Sequence, residues 1–308
     1  MFVRFVFSAA APAIALAIAG CAPAAPMEAT NSAASARAQG AALAQACEGR
    51  DGWSDPAPPA RIHGNTYYVG TCGIAALLVT TPDGHALIDG ATDEAAPGIL
   101  ANIRALGFDP RDVRVIVGSH EHIDHMGGFA ALKAATGARL LVSAGARRAV
   151  ETGETDPADP QSGVIDNMIP VAVDGLVQDR QPVPVGSSGF VLNPVATRGH
   201  TDGGTSWTWE SCEDGECVSI AYVDSLTAVS RDGYRFTDHP DRVAPFRPTF
   251  DRVAAMPCDI LVTPHPSISN LFARLSGTAP LQDSAACQIL ADAMRLRLDT
   301  RLAQEAAQ

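Results

Sequence analysis

Three histidines and an aspartate crowd into residues 119–128, which read Ser-His-Glu-His-Ile-Asp-His-Met-Gly-Gly. His120, His122, Asp124 and His125 offer three imidazoles and a carboxylate over six positions. That donor set suits a borderline cation such as zinc. In extended backbone His120, His122 and Asp124 point one way and His125 the other, so a bend here would let one stretch serve two neighbouring metals. Two more histidines stand in comparable places. His200 lies in the glycine-rich turn Arg198-Gly199-His200-Thr201-Asp202-Gly203-Gly204, and His265 lies between Pro264 and Pro266. Beside the first cluster they complete enough donors for two three-ligand sites, each with an open position for catalysis.

Each of these groups follows a strand-like run. Val113–Val117, reading Val-Arg-Val-Ile-Val, suits a buried strand, and Phe129–Thr136 after Gly127-Gly128 suits a helix. The cluster therefore sits where a strand ends and a helix begins. Residues 190–197 lead to His200, and residues 259–263 deliver His265. Upstream, residues 65–69, 74–80 and 85–88 are strand candidates, with Pro82-Asp83-Gly84 turning between the last two. The third ends in Asp89-Gly90, where Asp89 can serve as an ordinary turn residue. Residues 95–106 carry Ile99, Leu100, Ile103 and Leu106 at helical spacing, and Gly107 can end that helix. Residues 139–142 read as a strand and 144–150 as a helix. Residues 151–163 form a long polar loop broken by Pro157 and Pro160, placed near the mouth of the site. Residues 206–210 and 217–223 flank Glu213-Asp214-Gly215-Glu216 as a hairpin, and Asp224, Ser225 and Thr227 follow its second strand. Residues 283–302 are helical, capped by Asp283 or Ser284. His63, His85 and His239 lack metal-like neighbours and read as structural or surface residues.

The chain of 308 residues is 46% hydrophobic, ample for a core, and carries a formal charge of −12. That charge leaves no basic stripe to neutralise phosphates, so nucleic acid is excluded as a partner. Nothing in the pattern marks a dimer surface, and a monomer is the default. After Arg4, an apolar run over residues 5–19 is too short for a membrane span and reads as a secretory signal. Ile18-Ala19-Gly20-Cys21 is similar to a bacterial lipobox, in which Cys21 would carry lipid; cleavage within residues 22–29 is the alternative. Either leaves six of the seven cysteines for three bridges in an oxidising compartment, the periplasm, or the outer membrane if Cys21 is lipidated. Cys212 and Cys217 face across the hairpin base, and Cys287 could pair with Cys258, which leaves Cys47 with Cys72. Six cysteines allow fifteen such pairings. Residues 1–21 thus read as signal, 22–46 as a flexible Ala/Pro/Ser-rich tether with some helix near its end, and 47–308 as one domain.

His120-Glu121-His122-Ile123-Asp124-His125 matches His-x-His-x-Asp-His, the signature of the metallo-β-lactamase-fold hydrolases, in every fixed position. Further on, Gly203-Gly204-Thr205-Ser206-Trp207-Thr208-Trp209, Ala221–Leu226, Gly233-Tyr234-Arg235-Phe236 and the late His265 resemble the class B β-lactamases. Among these the chain is similar to the subclass whose second zinc is held by Asp-His-His. The resemblance spans about residues 47–302. It implies an α/β fold, a four-layer αβ/βα sandwich with two zinc ions at one edge. It assigns His120, His122 and His200 to the first zinc, Asp124, His125 and His265 to the second, and Asp89 to supporting the ligand loop without binding metal. A hydroxide shared by the metals would open β-lactams such as penicillins, cephalosporins and carbapenems, with Asp124 orienting it. The resemblance also implies that Ser225 and Thr227 hold the substrate carboxylate, and that Asp202, where many relatives carry proline, alters its loop without abolishing metal binding. If Asp224 instead bridges both metals, a secreted lactonase or thioesterase of the same fold becomes the better reading. A non-enzymatic metal-binding lipoprotein is a third, weaker possibility, since two open sites suit catalysis better than storage.

Overall fold

The computed structural model describes residues 1–3 and 33–307. Among the described residues, twelve strands form two sheets. The first runs β1 (Ala60–His63), β2 (Thr66–Tyr68), β3 (Leu77–Thr81), β4 (Gly84–Ile88), β5 (Val113–Val117), β6 (Arg139–Ser143) and β7 (Gly175–Val177), in that spatial order. The second contains β8 (Val183–Pro184), β9 (Val191–Ala196), β10 (Thr205–Glu213), β11 (Glu216–Tyr222) and β12 (Ile260–Val262), ordered 12-11-10-9-8.

Side-chain alternation explains the layers. In β3, Leu77 and Val79 face the second sheet while Leu78 faces the other way; in β4, Ala86 and Ile88 face it while Leu87 does not. Leu77–Val79 and Ala86–Ile88 are buried on both faces, so these stretches read as continuous apolar runs rather than alternating ones. Between the sheets lies a core with Trp207, Trp209, Tyr222 and Val262. Outside the first sheet, helices Ala96–Ala105 and Phe129–Thr136 bury Ile99, Ile103, Phe129 and Leu132. Outside the second, helices Phe246–Ala254 and Ala286–Ala306 bury Phe246, Phe250, Leu290 and Leu298. Three apolar interfaces thus separate four layers, helix–sheet–sheet–helix, the sandwich that the sequence resemblance implies.

Topology also sets where a site can form. β4 to β7 are parallel, and β9, β11 and β12 share a direction because β9 and β11 each pair antiparallel with β10 while β11 and β12 are parallel. Strand ends at Ile88, Val117, Ala196, Tyr222 and Val262 therefore gather at one edge of the sandwich, joined there by the hydrogen bond from Thr205 N to Ser119 O (2.8 Å). Open α/β sheets bind ligands beyond such carboxyl ends.

One expectation needs correcting. The tether read over residues 22–46 is, from Ala33 to Ala46, a helix packed on the segment Leu271–Ser276 and on β1, with Leu43 buried. The folded body therefore extends back to Ala33. A Cβ at Gly40 would lie 2.2 Å from Leu275 O, so glycine permits the close approach of these helices. The proposed lipobox at Cys21 lies outside the described residues.

Candidate metal centre

The histidine loop is held from below by a buried carboxylate. Asp89 follows β4 with φ +61° and accepts hydrogen bonds from Ser119 N (2.6 Å), Ser119 Oγ (2.7 Å) and Tyr222 OH (2.7 Å). It thus supports the loop and is more than an ordinary turn aspartate. His122 is still extended (φ −87°, ψ 154°), but Ile123–Met126 forms one helical turn. The expected extended register therefore ends at His122. A helical turn rotates successive side chains by about 100°, so Asp124 and His125 leave the alternation of an extended strand and form a second group beside His120. Gly128 lets this turn lie against the end of β4, since a Cβ there would meet Gly90 O at 2.3 Å. Glu121 ties the two ligand loops together by accepting from Thr201 Oγ1 (2.8 Å) and Gly203 N (3.0 Å).

One ring nitrogen each from His120, His122 and His200 lies within 4.8 Å of the others, and all three residues are buried. The same spacing holds for His120, Asp124 and His125. His265 joins this second group, with Nε2 3.5 Å from Asp124 Oδ2 and its ring centroid 5.1 Å from that of His125. The structure thus brings together all six residues singled out by the sequence.

The three rings of the first group are each held by a partner through one ring nitrogen. His120 Nδ1 is 2.8 Å from Asp224 Oδ1, His122 Nε2 is 3.1 Å from Asp159 Oδ2, and His200 Nδ1 donates to Thr227 O at 2.8 Å. Such partners fix ring orientation and tautomer, and leave the opposite nitrogen free to bind. Asp224 therefore stands behind His120, a position that suits orienting the ring better than bridging two metals.

Charge and burial prepare the donors. Burial and then the neighbouring imidazoles hold His120 well below the ordinary histidine range. Burial with His122 brings His200 down to about 3, and burial with His125 brings His265 down to about 4. These rings are neutral at pH 7, the form that binds metal. Burial also opposes charge on His125, but Asp124, 3.0 Å away, overcomes it and raises the ring to about 10. Both His125 nitrogens are buried without a well-directed hydrogen bond. A cation between His125 and Asp124 would replace the proton and satisfy those atoms, so the residues present fit a metal.

The family comparisons agree with this geometry. The Metallo-beta-lactamase superfamily model matches residues 69–215. The structure superposes on the metallo-β-lactamase MIM-1 from Novosphingobium pentaromativorans with a TM-score of 0.84 and 52% identity, covering 86% of this chain and 98% of that one. The chain belongs to the metallo-β-lactamases. The metallo-β-lactamase SMB-1 matches at 43% identity and TM-score 0.79 over 82% of this chain and 99% of that one. MEM-A1, a subclass B3 enzyme from a soil metagenome library, matches at 38% and 0.79 over 83% and 99%. The N-acyl homoserine lactonase AttM of Rhizobium johnstonii is 37% identical over 81 residues. That match covers only 31% of the lactonase and 19% of this chain.

In this metallo-β-lactamase, Ser225 and Thr227 line a cavity with Asp224 and His265. Thr227 has a further part that its hydroxyl did not suggest, since its backbone carbonyl orients His200. Asp159 went unrecognised in the sequence. It comes from the long loop placed at the site mouth, and the only local signal was an Asp-Pro pair inside that loop. Asp202 bonds Arg242 Nη1 at 2.9 Å on the rim of the His200 turn. Disulfides join Cys47–Cys72, Cys212–Cys217 and Cys258–Cys287, the three pairs drawn from the sequence. The remaining histidines lie elsewhere: His63 beside Ser211 and Glu213, His85 against Phe108, and His239 stacked on Tyr234.

Proposed function

We propose that this chain is a periplasmic zinc β-lactamase that opens the cyclic amide of β-lactam antibiotics by adding water. The observation that carries the reading is the pair of three-donor groups that meet at His120, with His265 beside the second, in a chain that aligns along 98% of the metallo-β-lactamase MIM-1. His120, His122 and His200 would hold one zinc ion, and Asp124, His125 and His265 a second. Zinc supplies Lewis acidity and lowers the pKa of bound water to about 7.

The chain's own residues do the rest. Asp224, Asp159 and Thr227 hold ligand rings in place, and Asp89 the loop that carries them, before substrate arrives, which lowers the reorganisation needed during reaction. Burial disfavours charge on Asp124, yet the neighbouring His125 keeps it well below the usual carboxylate range. An ionised carboxylate there accepts a hydrogen bond from the attacking water and orients it toward the lactam carbonyl carbon. Addition at that carbon breaks the C–N bond, and the ring nitrogen takes up a proton. Ser225 and Thr227 offer hydroxyls to the substrate carboxylate. The secretory reading of residues 1–21, with Cys21 as a lipid anchor, and the three disulfides support an oxidising compartment.

A lactonase of the same fold is the second reading, favoured by the short match to AttM. Parallel assays of a penicillin and an N-acyl homoserine lactone separate the two. The β-lactamase reading expects the penicillin to be opened with the higher kcat/KM. Lactone turnover with the penicillin left intact would reverse the assignment.

A further inference from the structure

We infer that Arg297, on the C-terminal helix Ala286–Ala306, is a specificity-determining residue whose guanidinium draws the carboxylate of an anionic substrate into the cavity beside His265. The inference rests on the β-lactamase reading and adds a residue that nothing in the signature motifs contains.

The cavity has a volume of about 210 Å³ and shares His265 and Asp224 with the metal centre. Pockets that enclose a whole drug-sized ligand run to about 300–1,000 Å³. This one is too small for that and suits one arm of a substrate whose reacting carbonyl lies at the histidines. Its lining divides by chemistry. Ser225 and Thr227 bring hydroxyls, while Ile268, Leu290 and Met294 bring apolar surface. Arg297 is the one arginine or lysine among the lining residues. Leu290, Met294 and Arg297 recur at the i, i+4, i+7 spacing of a single helix face, so Arg297 lines this cavity beside them while also bordering a second groove with Ser230 and Arg301.

Arg297 is also uncommitted. Its helix neighbours are engaged: Arg295 bonds Asp251 at 2.7 Å, and Arg301 bonds Glu305, Ser230 and Tyr234. Among the described residues Arg297 has no ion pair or hydrogen bond, and it is exposed. An arginine serving only the surface would look the same, except that it need not share a cavity with two hydroxyls and a ligand histidine. The chain's formal charge of −12 repels anionic substrates at long range. A local cation at the cavity mouth offsets that repulsion and steers the carboxylate toward Ser225 and Thr227.

The test uses zinc-loaded full-chain protein with a penicillin and its methyl ester. Exposed ion pairs contribute modestly, so R297Q should raise KM for the penicillin about two- to fivefold with kcat unchanged. R297K should restore most of the affinity, and R297E should weaken it further. The ratio of the R297Q KM to the wild-type KM should shrink with added salt, as screening removes the contribution of Arg297. For the ester, wild type and R297Q should be equal. A wild-type KM in R297Q, or an equal loss on acid and ester, overturns the assignment of Arg297 while leaving the β-lactamase reading intact. A wild-type protein inert toward both compounds removes that reading and this inference with it.

Discussion

Asp159 offers a quantitative test of how the first metal group is organised. Its side chain is 5% exposed and makes two contacts, Oδ2 to His122 Nε2 (3.1 Å) and Oδ1 from Gln161 N (2.7 Å). Arg231 pins the same loop through Asp159 O (3.3 Å) and Pro160 O (3.2 Å). Asp159→Asn keeps an acceptor for the His122 N–H but removes the charge that makes the ring a stronger donor to metal. Asp159→Ala removes the acceptor altogether and leaves His122 free to turn. Carboxylates behind ligand histidines contribute about 10–100-fold to metal affinity. We expect Asp159→Asn near the lower end of that range and Asp159→Ala near the upper, or about 1.4 and 2.7 kcal/mol. Competition of the metal-stripped protein with a chromophoric zinc chelator measures this directly. The loss should fall on one zinc equivalent, because Asp159 does not touch Asp124, His125 or His265. If Asp159→Ala binds both equivalents as tightly as wild type, this account of His122 is wrong.

Three other outcomes follow from the same geometry. His120→Ala and His265→Ala should each lower kcat/KM by more than about hundredfold, since each breaks a site that supplies several kcal/mol of charge stabilisation. Unchanged far-ultraviolet circular dichroism would show the fold intact, and wild-type rates in both variants would refute the two-group assignment. Replacing Cys258 and Cys287 by serine opens a cross-link of separation 29 and should cost about 3–4 kcal/mol in chemical denaturation. A loss below about 1 kcal/mol would show that the unfolded chain is not appreciably constrained by it. In metal-free protein the raised His125 stabilises the fold as its protonated form. That contribution is complete below the ordinary value of 6.5 and fades as pH rises toward about 10. Its melting temperature should therefore fall over that interval, and zinc uptake near pH 7.5 should release a proton. A melting temperature that rises from pH 6.5 to 10 would contradict the sign.

The sequence reveals the candidate metal donors because metal chemistry restricts residue type and spacing within a few positions. His120 to His125 announce themselves, and they make His200 and His265 credible. The strands before them are legible for a related reason: Ala86–Ile88 of β4 and Val115–Val117 of β5 are buried on both faces and so are apolar without a break. What lies behind the ligands is less visible. Asp159 meets His122 across 37 positions, and a single aspartate in a proline-broken loop looks like a turn residue. Thr227 acts through its carbonyl, which every residue type possesses. The helix Ala33–Ala46 was read as a tether because its packed face is built on Gly40 and Leu43, and small residues leave little hydrophobic period. Arg297 belongs to a cavity assembled from three separate chain segments, so no local motif records it.

The central claim is that two zinc ions at these six residues open a β-lactam ring. Its most direct test is to titrate zinc into metal-stripped protein while following hydrolysis of a penicillin and a carbapenem. The account predicts ring opening that rises with added zinc, reaches its limit at two equivalents, stops with a chelator and returns when zinc is restored. Intact antibiotics in the presence of two bound zinc ions, or full activity of the metal-stripped protein, would contradict it.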